Sequence, residues 1–106
     1  MITKEYIQLK LIEAIEYTKY SNEDTWSFII TYPNGKKINH TGDVESVIGN
    51  KNEQNKIINL ISSAIEGMGD LQITKSMFKK LANDFLHINL PDHANKCLHA
   101  IKINNL

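Results

Sequence analysis

The sequence predicts an α+β domain: a three-stranded antiparallel meander, with residues 71–74 as an optional short fourth strand, packed against two or three C-terminal helices. Three observations predict it. Apolar and polar residues alternate through much of the first half, a Pro33-Asn34-Gly35 turn interrupts them, and the second half changes to helical spacing. The 106 residues, 42% hydrophobic and 23% charged, suit one domain over 1–106 built on one core.

The first segment, residues 7–17, carries Ile7, Leu9, Leu11, Ile15 and Tyr17 at odd positions and Gln8, Lys10 and Glu16 at even ones, with an interruption near Glu13. Alternation favours a strand, with a bulge at the break. Wound as a helix, the same residues scatter their apolar groups around the circumference, although Glu, Lys, Leu and Ala favour helix. A polar turn follows at residues 21–24. Trp26, Phe28, Ile30 and Tyr32 then share one face of the strongest strand in the chain. Pro33 and Gly35 supply turn geometry, and residues 36–41 return as a third strand, which places Trp26 at the centre of the sheet.

In the second half, Ile57, Leu60, Ile61, Ala64, Ile65 and Met68 recur at helical spacing, with Asn50 or Asn52 as cap and Gly67 or Gly69 as stop. Thr74 or Ser76 can cap a second helix carrying Met77, Phe78, Leu81, Phe85 and Leu86. Pro91 opens a third, with Ala94, Cys97, Leu98 and Ile101 inward.

Composition excludes several functions. No segment approaches the ~20 apolar residues of a membrane span, and residues 1–10 lack the zones of a secretory signal. A single cysteine, Cys97, precludes an intrachain disulfide and fits a reducing cytoplasm. All 12 basic residues are lysines, and the chain holds 16 isoleucines and 12 asparagines. Those three residue types share AT-rich codons, which points to an AT-rich bacterium or its phage. Without arginine, and with a net charge of zero, the chain lacks the planar fork that reads guanine edges and phosphates.

Candidate chemistry is sparse. His93 and Cys97 lie four apart on one helix face, and adding His87 and Asp92 would make a zinc set, but no recognised ligand spacing is met. Cys97 falls on an apolar stripe, where a thiol acts as a small hydrophobe. Gly67-Met68-Gly69 lacks the strand and lysine of a phosphate loop. The order of elements is similar to that of the ribonuclease H fold. The positions where that family's metal-binding acids would fall, near Lys19, Lys56 and Lys75, hold no carboxylate, so the resemblance implies no nuclease activity here.

The sequence therefore leads to a small non-enzymatic accessory or regulatory protein, without cofactor or metal, acting in the cytoplasm by binding another macromolecule, foremost a protein. The expected surface is the outer edge of the first strand, with Ile7, Leu9, Lys10 and Leu11, where a second copy or a partner strand could add. The alternative is a nucleic-acid-associated regulator using Lys75, Lys79 and Lys80 on one helix, whose binding would fall steeply with salt.

Overall fold

In a computed structural model of the chain, which describes residues 2–32, 34–68 and 74–106, the first element is a helix. The order is α1 (Lys4–Ser21), β1 (Thr25–Thr31), β2 (Lys37–Asp43), α2 (Val44–Val47), α3 (Lys51–Met68), α4 (Lys75–His87) and α5 (Pro91–Ile103). The fold is α+β, but among the described residues it has five helices and a two-stranded antiparallel sheet. This corrects the expected three- or four-stranded meander. The match in element order to the ribonuclease H fold disappears with the first strand. Of the optional fourth strand, residues 71–73 lie outside the described residues, and Thr74 caps α4.

The correction has a clear cause. The Thr3 hydroxyl accepts from the Tyr6 amide at 3.1 Å and caps α1, and Asn22 closes it in the left-handed conformation with φ 57°. Between the caps, Tyr6, Ile7, Leu9, Leu11, Ala14 and Ile15 are all buried, although they point in several directions around the helix. The scatter that seemed to argue against a helix is what a helix covered on several sides needs. α1 touches β1, α3, α4 and α5, so it forms the centre of the core.

The hairpin follows local chemistry. β1 alternates exposed and buried residues, with Trp26, Phe28 and Ile30 inward against α1. The Gly35 amide donates to the Tyr32 carbonyl at 2.8 Å, and Gly35 takes φ 85°, a conformation glycine adopts without steric cost. Ile38, His40 and Gly42 of β2 stand opposite Ile30, Phe28 and Trp26. Gly42 is required there, because a Cβ would come within 2.8 Å of Trp26 Cζ2. An aromatic row runs along this inner face: Trp26 stacks on Phe28 at 5.6 Å, Phe28 meets His40, and the Tyr32 hydroxyl shares a hydrogen bond with His40 Nε2 at 2.9 Å.

The C-terminal helices begin at the expected caps. Asn50 Oδ1 accepts from the Glu53 amide at 3.2 Å, Thr74 Oγ1 from the Met77 amide at 3.3 Å, and Pro91 opens α5. α4 and α5 pack on each other and on α1 through Phe78, Leu81, Ala82, Phe85, Ala94, Cys97 and Ala100. The expected inward positions Leu86 and Leu98 are exposed.

α3 departs from expectation in its rotation. Its buried residues are Ile58, Ile61, Ser62 and Ile65. Leu60, Ala64 and Met68, expected to face the core, are exposed, Leu60 by 73%. The Gln54 side chain donates to the Val47 carbonyl at 2.8 Å and ties the start of α3 to α2. One flank of the apolar arc rests on α1 and the other is uncovered. No helix among the described residues is long and apolar enough to cross a membrane.

Candidate functional site

The hairpin's hydrogen-bond register decides which backbone groups are free. The Tyr32 amide donates to Lys36 at 2.8 Å, and the Val44 amide donates to Asp24 at 2.9 Å. Both pairs are even-numbered. Antiparallel ladders alternate, so even residues bond across the hairpin and odd residues aim their N–H and C=O groups outward. On β1 the outward residues are Thr25, Ser27, Ile29 and Thr31. On β2 they are Lys37, Asn39, Thr41 and Asp43. The Thr18 hydroxyl of α1 lies 2.7 Å from the Ala14 carbonyl and 3.0 Å from the Thr25 carbonyl, so its one proton is shared between them and meets that end of the β1 edge only in part. Among the described residues no strand pairs with the outer edge of either β1 or β2.

A hollow of about 240 Å³ lies beside that edge. His40, Thr41 and Gly42 form its sheet side, and Glu53, Ile57, Leu60 and Ile61 of α3 form the other. Trp26 contributes to its wall. The indole is only 3% exposed, and Nε1 is buried without an acceptor among the described residues. A buried donor left unmet costs about 1–3 kcal/mol, so this nitrogen is the least satisfied polar group of the hairpin's inner face. Burial also lowers the His40 pKa below its ordinary value of 6.5, which favours the neutral ring beside this hollow.

A second, more open hollow of about 650 Å³ sits at the adjoining end of the hairpin. Glu23, Asp24, Asp43 and Glu45 line it, and Ser46 borders both hollows. At the other end of β2 stand Lys36 and Lys37, both exposed. The β2 edge is thus basic at its start and acidic at its finish, with an apolar hollow toward the acidic end.

The residues expected from sequence to form an interaction surface are dispersed. Ile7, Leu9 and Leu11 are buried on α1 and have no strand edge to offer. Lys10 is largely covered and pairs with Glu13 at 3.4 Å. Lys75, Lys79 and Lys80 lie exposed on α4, where Lys80 pairs with Asp84 at 3.5 Å. Trp26 and Cys97 are buried, as their positions predicted. Burial, with Glu13 and Glu5 nearby, pushes the Cys97 thiol up to about 12, so it stays protonated and unreactive. Among the described residues no group of three or more His, Cys, Asp or Glu side chains could hold a metal ion.

Sequence reasoning missed Thr41, Gly42 and Leu60. Thr41 and Gly42 carried no signal beyond strand membership. Leu60 carried one: the apolar arc of α3 is wider than a single buried face requires. No family model, curated protein or solved structure matches the chain.

Proposed function

We propose that this is a small non-enzymatic binding protein, acting in the cytoplasm on another protein, which it holds as an added strand along β2. The observation that carries the reading is the outward-facing β2 edge beside an apolar hollow. Strand addition draws affinity from main-chain hydrogen bonds and specificity from pockets for alternate side chains. The hairpin supplies the first through Asn39 and Thr41, and the α3 flank the second through Leu60. A two-stranded sheet is marginal by itself and gains from a third strand. Nucleic-acid binding through Lys75, Lys79 and Lys80 has weaker support, because Lys80 is engaged by Asp84 and the chain has no excess positive charge.

Thr41→Pro tests the reading. The Thr41 amide points away from β1, so proline there removes an edge donor and spares the hairpin ladder. Partners captured from the native host should be retained by the original protein and lost by the variant. In the complex, the Asn39 and Thr41 amides should exchange hydrogen more slowly than in the free protein. Partners that ignore the substitution, or retained nucleic acid that is lost steeply with salt, would sink the reading.

A further inference from the structure

The β2 edge is not uniform along its length, and its variation points to the chemistry of what it holds. Residues on an added strand alternate between the two faces of the sheet. Those facing inward would continue the row formed by Trp26 on β1 and Gly42 on β2 and would arrive over α3. There they would meet the exposed Leu60 and the half-buried Ile57 of that helix. The hollow between them, about 240 Å³, is smaller than the roughly 300–1,000 Å³ of small-molecule sites. It equals the liquid volume of about eight waters, which is the scale of one large side chain. Its walls are mainly apolar.

Charge supplies the second element of recognition. Past Thr41, the edge runs into Asp43, and the neighbouring open hollow adds Glu23, Asp24 and Glu45. Because Ser46 borders both hollows, a single extended segment would pass from one to the other.

Resting on the strand-addition reading above, we infer that the β2 groove selects an extended peptide with one large apolar side chain seated against Leu60 and Ile57, and a lysine or arginine a few residues away facing Asp43 and Glu45. The uncovered Leu60 and the acidic end of the edge then have one explanation. Leu60 is the floor for the anchor. The carboxylates receive the basic group. Lys36 and Lys37 at the opposite end repel a peptide laid with its basic residue there and so set its direction.

Selection from a random displayed-peptide library against the intact protein tests this. Enriched peptides should share a leucine, isoleucine or phenylalanine with a basic residue close by in sequence. A synthetic peptide of that consensus should lose about tenfold or more in affinity to Leu60→Asp. Because Leu60 is exposed, that variant keeps the fold, and its circular dichroism should be unchanged. The double variant D43K/E45K should reverse the charge preference, selecting acidic in place of basic residues. Peptides that bind and are lost with Thr41→Pro, but show no anchor or charge preference, would overturn this inference and leave strand addition standing. Peptides whose binding ignores both Thr41→Pro and Leu60→Asp, or a library that yields none, would overturn both.

Discussion

α1 and α3 are both 18-residue helices, and they treat their apolar residues in opposite ways. In α1 the apolar side chains are dispersed around the axis, yet nearly all are buried, because β1, α3, α4 and α5 surround it. In α3 they gather into one broad arc, as an amphipathic helix should. Only the flank with Ile58, Ile61 and Ile65 is covered, and Leu60, Ala64 and Met68 face solvent. The comparison teaches that apolar patterning states how much a helix can bury, while its neighbours determine how much it does. A surplus of apolar arc over coverage marks a surface open to a partner. In this protein that surplus lies beside the β2 edge, with which no strand among the described residues pairs.

The comparison can be broken most sharply at the core. Leu11→Ala on α1 and Trp26→Ala on β1 should each cost about 3–5 kcal/mol, the range for truncating a large, well-packed side chain. Chemical denaturation would measure both. Losses below about 1 kcal/mol would mean that α1 is not the surrounded centre described above. Gly42→Ala should cost less, about 1–3 kcal/mol, because the added methyl meets the Trp26 ring and the indole must move. Tryptophan fluorescence should shift with it, and an unshifted spectrum with unchanged stability would contradict the close approach.

A smaller effect concerns the charge that α1 buries. Glu13 is 7% exposed, and burial raises its carboxyl above the ordinary 4.5, partly offset by Lys10. Its contribution to stability is therefore whole below that pH and is lost as the pH rises through the folded value. His40 and His93 act in the opposite sense. Burial lowers both below 6.5, so their contribution is whole above that pH and is lost as the pH falls through their folded values. Glu13→Gln should raise stability at neutral pH relative to acid pH, read as melting temperature against pH. An unaltered pH profile would show that Glu13 reaches water. The smallest effect belongs to α3: Leu60→Ala should change stability by less than about 0.5 kcal/mol, as exposed sites do. A loss of core size there would mean that the uncovered flank is covered in solution, and a concentration dependence of that loss would identify a second copy as the cover.

Much of this protein was determined by sequence alone, wherever the determining interactions are local. The hairpin follows from period-two alternation around a Gly-bearing turn. The starts of α3, α4 and α5 follow from Asn50, Thr74 and Pro91, each acting within one helical turn. Trp26 and Cys97 could be placed inside because their stripes are regular. Tertiary structure alone decided two things. One was that residues 7–17 form a helix: encirclement by several elements erases the one-sided periodicity that announces a helix, and the Thr3 and Asn22 caps lie outside the apolar pattern. The other was the rotation of α3. Its arc is wider than the face that packs on α1, and that packing leaves Leu60 beside Thr41 and Gly42. The candidate groove was illegible for that reason: its two walls lie on different elements, and their meeting is set by how a helix is turned, which no local pattern encodes.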